Sequence, residues 1–223
     1  VFHECRDELG HVSQTIWAGF AKRPVDFILA LLGLAALSPV LFLSVLLMKV
    51  TSPGPVFFMQ VRTGRDGKAF RPYKLRTMLA TRRPDPEEII TREHPDVTSV
   101  GRVLRRLKID ELPQLLNVLR GEMSLVGPRP TLPEQTREYN EFQWRRQLVR
   151  PGLTGLAQVN GSTAITWEER IKYDVYYVRH HGFLMDLGIV LKTVAVILRG
   201  EERFARQFDA SPYARRGGQA AAK

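Results

Sequence analysis

The chain has 223 residues, a formal net charge of +10 and a single cysteine, Cys5. That length fits one domain with a real core, the charge suits nucleic acid, anionic lipid or a phosphorylated substrate, and one cysteine excludes an intrachain disulfide and fits a reducing compartment. The sequence carries no zinc-finger spacing, RNA-binding aromatic motif or arginine tract, so no nucleic-acid partner is expected. It begins at Val1 rather than Met, which fits a trimmed protein or a piece of a longer one.

Residues 1–22 read as an N-terminal interfacial segment, with a helix from His11 that carries Trp17 and Phe20. His3 and His11 read as surface residues rather than metal ligands. Phe27 to Met48 is the one membrane-grade run. As a single helix it would reach about 33 Å, enough to cross a bilayer. Ser38-Pro39 lies in its middle, where proline bends or breaks a helix, and both flanks are basic, Lys22-Arg23 before and Lys49 after. If both flanks stay on the positive side, the segment enters and leaves on one face as a helix–break–helix hairpin. The alternative is a kinked single span. The Ser38 hydroxyl is a candidate partner for a backbone group freed at the break. Asp26, so near lipid, needs a partner, and Arg23 is the nearest cation in sequence.

Ser52-Pro53-Gly54-Pro55 is a stop. Val56–Val61 and Ala69–Met78 read as a hairpin across Asp66-Gly67, with Lys74 and Arg76 alternating onto one strand face. Leu79–Thr98 reads as a polar surface loop, with a short helix at Glu87–Arg92 and no catalytic residue. Ser99 is a candidate N-cap for a helix whose polar face holds Arg102, Arg105 and Arg106. A second helix is expected from about Pro113 to Arg120, with Gly121 as its C′ residue.

Asp110-Glu111 then stands at a helix start, beside several arginines, where an ionised carboxylate suits attack on phosphorus. Taken alone, such a pair is equally a capping Asp followed by a solvated Glu. Gly127-Pro128-Arg129-Pro130 is a rigid turn that presents one guanidinium, a group suited to phosphate. Further helices are expected at Glu134–Val149, at Trp167–Val178, and at Phe183–Leu198. The last is too short and too charged to span and fits the membrane interface or the core. The chain after Gly200 reads as a flexible tail.

IDELPQLLNVLRGEMSLVGPRP, followed by RPGLTGLAQVNG at 150–161, resembles the bacterial sugar transferase domain of the monotopic polyprenyl-phosphate phosphoglycosyl transferase superfamily, and the likeness runs from about Arg23 to Arg199. The resemblance implies an α+β, mostly helical fold: a re-entrant membrane hairpin at 23–50, interfacial amphipathic helices, a small β-hairpin, and a single catalytic domain at 51–199 before a tail at 200–223. It implies transfer of a sugar-1-phosphate from a UDP-sugar to a polyprenyl phosphate at the cytoplasmic face of the bacterial inner membrane. UMP leaves, and a phosphosugar-aspartyl intermediate forms on the way. It implies Mg²⁺, with Asp110 and Glu111 as catalytic and metal-binding residues.

The same likeness makes Lys74, Arg76, Arg105, Arg129 and Arg150 candidate substrate or phosphate contacts, with Gln158 and Asn160 reading base or sugar. Gly152 and Gly155 would let the backbone wrap the nucleotide. Ser38 and Pro39 are expected to shape the hairpin, and Asp186 to pair with Lys74. Relatives often carry Arg after the Asn-Gly pair, and this chain has Ser162. The sugar and the oligomeric state, a homo-oligomer included, stay open. Rival classes are a glycosyltransferase that releases UDP and a non-catalytic membrane module.

Overall fold

The computed structural model describes residues 15–79 and 94–214. The expected helix at Glu87–Arg92, the two N-terminal histidines and the last nine residues lie outside that range. What is described is mostly helical, with short strands, as expected.

A π-helical turn, Trp17–Ala21, leads into helix α1, Lys22–Thr51. The sequence predicts a break at Pro39, and the helix instead continues through it. Proline has no N–H to give Ala35, four residues back, and the Ser38 hydroxyl takes that carbonyl at 2.8 Å. One side of α1 is exposed and apolar, including Phe27, Leu31, Phe42 and Leu46. The other side packs along its whole length on one body. Ala30, Leu34 and Leu37 meet Leu115, Val118 and Met123. Leu41, Val45 and Met48 meet Leu75, Leu104 and Ile109.

The hairpin forms as two ladder segments in a single register. Strands β1 (Phe57–Phe58) and β4 (Lys74–Leu75) pair Phe58 with Lys74, and β2 (Arg62–Thr63) and β3 (Ala69–Phe70) pair Thr63 with Ala69. The turn centres on Asp66, in the left-handed region at φ 55°. Helix α2, Ser99–Arg106, is capped one residue earlier than Ser99: the Thr98 hydroxyl accepts from the Gly101 N–H at 2.9 Å.

A 3-10 turn, Ile109–Gln114, contains Pro113 and precedes helix α3, Leu115–Arg120, so the expected helix from Pro113 starts later and tighter. Gly121 ends α3 at φ 82°, the left-handed C′ position predicted for it. Arg23 donates to the Val118 and Leu119 carbonyls at that end.

Strand β5, Ser124–Val126, lies parallel to β6, Gly152–Thr154. The segment between them is not the single helix expected over Glu134–Val149. It forms α4 (Pro133–Arg137), α5 (Glu141–Trp144) and a 3-10 turn at Arg145–Leu148. Asn140 interrupts it by capping α5, its side chain accepting from the Gln143 N–H at 2.9 Å. Helices α6 (Trp167–His180) and α7 (Phe183–Arg199) match the pattern, with Thr166 as the N-cap of α6. They build a core with Tyr173, Tyr177, Ile189 and Val196. The opposite face of α7, with Leu184, Leu191, Val194 and Leu198, is exposed and apolar.

The stretch 201–214 is not a loose tail. It lies on α6, where Phe208 and Tyr213 pack edge-on against Tyr173, and Ser211 is buried.

Candidate active site

The dyad sits on the 3-10 turn, reached through Lys108 in the left-handed region at φ 57°. This bend ends α2 and turns both carboxylates inward, leaving Asp110 1% and Glu111 6% exposed. Buried carboxylates need cations, and two converge here. Lys74 Nζ lies 2.9 Å from Asp110 Oδ2 and 3.2 Å from Glu111 Oε1. Arg129 brings its fork to Glu111, at 2.7 Å to Oε1 and 3.3 Å to Oε2. Burial pushes the Glu111 carboxyl up, but Arg129 and Lys74 outweigh it and hold the group well below the usual carboxylate range. Glu111 raises Arg129 in return.

The two acids therefore differ. Glu111 is held at both oxygens, whereas Asp110 Oδ1 has no hydrogen-bond partner among the described residues. Asp110 is thus paired at one oxygen, and its other oxygen is buried and uncommitted. Among the described residues no cluster of three or more His, Cys, Asp or Glu gathers to hold a metal unaided. Mg²⁺ is commonly held by one or two carboxylates together with substrate phosphates, and the orphaned Asp110 oxygen beside Glu111 fits that pattern.

A cleft opens beside Glu111, lined by Phe58, Gln60, Arg62, Lys74, Gln114 and Arg129. Arg62 was not singled out by the sequence, since it falls just beyond the predicted strand. Burial, with Arg129 nearby, lowers its guanidinium to about 10, so it stays cationic at neutral pH. It donates to Gln60 at 2.9 Å.

Behind Arg129 stands a second ion pair, also missed. Arg146 Nη2 is 2.6 Å from Asp174 Oδ2, and both side chains are buried. The same guanidinium donates to the Arg129 carbonyl at 2.8 Å and to the Tyr139 hydroxyl at 2.9 Å, and lies over the Trp167 ring at 5.1 Å. It fixes the backbone from which Arg129 reaches Glu111. A signal existed: Arg146 continues the Tyr139 and Phe142 stripe, and Asp174 falls on the Ile171 and Val178 stripe. Charges on apolar stripes are buried charges.

The other predicted residues serve elsewhere. Arg105 Nε donates to the Thr77 hydroxyl at 2.8 Å, and Arg76 to the Ser52 carbonyl at 3.0 Å. Two further Arg76 nitrogens are buried without a hydrogen-bond partner among the described residues. Arg150 clamps the Gly121 carbonyl at 2.8 Å, and Gln158 the Leu153 carbonyl at 3.1 Å. Asn160 is buried, donating to the Leu156 carbonyl at 2.7 Å and accepting from Lys192 at 2.7 Å. These three stabilise backbone and do not line the cleft. Gly152 and Gly155 serve strand contact: a Cβ on either would stand 2.1 Å from Gly127 backbone atoms.

Asp186 does not meet Lys74, which the dyad holds. It binds Lys22 at 2.6 Å, the Trp17 indole at 2.8 Å and the Tyr177 hydroxyl at 2.7 Å. Asp26 pairs with Lys22 at 3.7 Å and Ser124 at 2.6 Å rather than with Arg23, whose guanidinium is taken by the end of α3.

The family model described as bacterial sugar transferase matches residues 17–200. The chain is 44% identical to the "Uncharacterized sugar transferase EpsL" of Bacillus subtilis (strain 168), over 81% of this chain and 88% of that protein. It is 39% identical to the "UDP-N-acetylgalactosamine-undecaprenyl-phosphate N-acetylgalactosaminephosphotransferase" of Aeromonas hydrophila, over 89% of this chain and 48% of that one. It is 43% identical to the "UDP-glucose:undecaprenyl-phosphate glucose-1-phosphate transferase" of Escherichia coli (strain K12), over 78% of this chain and 39% of that one. The chain thus spans about half of the second and about two fifths of the third.

Proposed function

The chain belongs to the bacterial sugar transferase family, and on that premise we propose that it moves a sugar-1-phosphate from a UDP-sugar onto undecaprenyl phosphate. The work is done at the cytoplasmic face of the bacterial inner membrane, as a first membrane step of polysaccharide assembly. The observation that carries the mechanism is the asymmetry of the dyad: Glu111 is bound by two cations while Asp110 keeps one oxygen uncommitted.

In this mechanism Asp110 attacks the sugar-bearing phosphorus. A P–O bond to the carboxylate forms, the bond to the second phosphate breaks, and UMP departs. The lipid phosphate oxygen then attacks the same phosphorus, and the aspartyl bond breaks, restoring the carboxylate. One phosphoanhydride is broken and another made, so no further energy source is needed. A protein nucleophile splits the transfer into two displacements, so the two phosphorylated substrates need not react with each other directly. Arg62, Lys74 and Arg129 offer positive charge to the phosphates. Asp110 and Glu111 would hold Mg²⁺, which when bound offsets phosphate charge.

The packing of α1, rather than a break at Pro39, favours both of its ends on one face. A helix crossing the bilayer would carry its far half away from the catalytic body, whereas both halves of α1 lie against it. The exposed apolar faces of α1 and α7 suit contact with lipid.

The test is a panel of UDP-sugars with undecaprenyl phosphate, the nucleotide product being separated by chromatography. UMP is expected; UDP in its place would make this an ordinary glycosyltransferase. Asp110→Asn should lower turnover at least about 10³-fold while leaving membrane association intact. Wild-type enzyme trapped with donor alone should gain the mass of a phosphosugar at Asp110.

A further inference from the structure

The matched family region ends at residue 200, and the next residue, Glu201, reaches back toward the dyad. Its Oε1 accepts from the Thr163 hydroxyl at 2.6 Å. Its Oε2 lies 3.9 Å from the ammonium of Lys108, two residues before Asp110. Thr163 belongs to the turn after the Asn160-Gly161 pair, where Ser162 is held at φ 48° and Gly161 at φ 129°. One carboxylate thus joins a strained turn to the segment that carries the nucleophile. Its charge also reaches Arg129, whose guanidinium is held in its charged form chiefly by Glu111, then by Asp110, and least by Glu201.

The chain that follows is built to keep Glu201 there. The Arg206 N–H donates to the Asn160 carbonyl at 3.1 Å, and the Tyr173 hydroxyl to the Arg206 carbonyl at 3.2 Å. A Cβ on Gly161 would stand 2.8 Å from the Ala205 Cα, so strap and turn touch through backbone. Glu169 accepts from the Phe208 N–H, and Lys172 pairs with Asp209 at 3.2 Å. An ordered strap whose first residue points to the site is a means of positioning that residue.

We propose that Glu201 is a positioning residue of the nucleotide-sugar site: it holds Lys108, two residues before Asp110, against the 161–164 turn, so that the Lys108 ammonium meets the incoming diphosphate. The inference rests on the reading of the donor as a UDP-sugar. Lys74 and Arg129 are already engaged with buried carboxylates. Lys108 is 39% exposed at its side chain and held by one long ion pair, so an anionic ligand can recruit it at small cost. Glu201 keeps that ammonium close to where it is needed.

Positioning and simple charge predict opposite signs. If Glu201 acted only as a negative charge near an anion site, removing it would tighten binding of a diphosphate. If it positions, removing it weakens binding. Titration calorimetry with UDP on the full-length wild type and its variants reads this without relying on turnover. Glu201→Ala and Thr163→Val should each raise the Kd for UDP about five- to tenfold, Glu201→Asp should recover part of the loss, and Glu202→Ala, which removes the exposed carboxylate next to it on the strap, should leave it within twofold.

Undecaprenyl phosphate KM, measured in parallel, should not move with Glu201→Ala. Tighter or unchanged UDP binding in Glu201→Ala overturns the proposal, as does equal loss in Glu202→Ala. Should Glu201→Ala fail to fold, Thr163→Val alone decides. The UMP assay on wild type judges the activity separately: weakened UDP binding in the variants of an enzyme that makes no UMP would sustain the role of Glu201 and sink the transfer reaction. Wild type that makes UMP, with variants that bind UDP normally, would do the reverse.

Discussion

Asp174 puts the cost of catalytic order on a single residue. Burial raises its carboxyl to about 6 from 3.8, against the pull of Arg146. The folded value lies above the unfolded one, so the contribution to stability is full below about pH 4 and is lost as pH rises through about 6. At pH 7 the ionised pair therefore costs the fold on the order of 1–3 kcal/mol relative to a neutral group at that position. The pair is understandable as positioning, because Arg146 also holds the Arg129 carbonyl.

Asp174→Asn should accordingly match or exceed wild-type stability at pH 7, with the difference closing as pH falls from 6 to 4. Its kcat should drop about 10- to 100-fold as Arg129 loses its anchor. Denaturant melts and initial rates at several pH values check this. A variant that unfolds far more easily than wild type at pH 7 would mean that the pair stabilises the fold.

Among the elements, α1 was read half correctly: the break expected at Pro39 does not form, while the role of Ser38 beside it was legible because its reason is local. The sequence placed Ser38 beside Pro39 and expected the hydroxyl to serve a freed backbone group, and it accepts that task at Ala35. The hairpin with its turn at Asp66 and the Gly121 stop were legible for the same reason: turn and cap chemistry act within a few residues. What the sequence did not reveal depends on distant partners. Lys74 was expected to meet Asp186, yet the two acids flanking the bend at Lys108 outcompete it, and the hairpin alone places Lys74 there. Asn140, a local cap, was overlooked because an apolar stripe on either side suggested one helix. The ordered chain at 201–214 looks polar, and its contacts with the distant Tyr173 and Tyr176 rings and with Glu169 and Lys172 explain why it stays down.

The proline step in α1 yields its own test. Ser38→Ala leaves the Ala35 carbonyl without a donor in apolar surroundings, a loss of about 1–3 kcal/mol. Ser38→Ala with Pro39→Ala restores a backbone N–H to that carbonyl. The double variant should therefore resist thermal inactivation better than Ser38→Ala alone, measured as half-life in lipid nanodiscs. Additive losses would mean that the hydroxyl does not substitute for the missing amide.

For the molecule as a whole, the question is how a charged active site meets a lipid that stays in the bilayer. Helix α1 is long enough to cross, by length and composition, and its thirty residues would extend about 45 Å if straight. Yet the buried side of that helix touches the catalytic body near both ends: Arg23 at the end of α3, and the Ser52 carbonyl just past the helix under Arg76 at 3.0 Å. A crossing would have to break one set of these contacts and leave Arg76 buried without its acceptor, a cost of several kcal/mol for a charged donor. Keeping both ends of the helix on one face preserves both. Gly19, with open space around its Cα, and Thr51, exposed at the far end, report the two ends. In a Cys5→Ser background, Gly19→Cys and Thr51→Cys should both react with a membrane-impermeant maleimide in inside-out vesicles and both be protected in right-side-out ones. Protection on opposite sides would require the helix to cross, and the packing of one half of α1 would then have to be given up in the membrane.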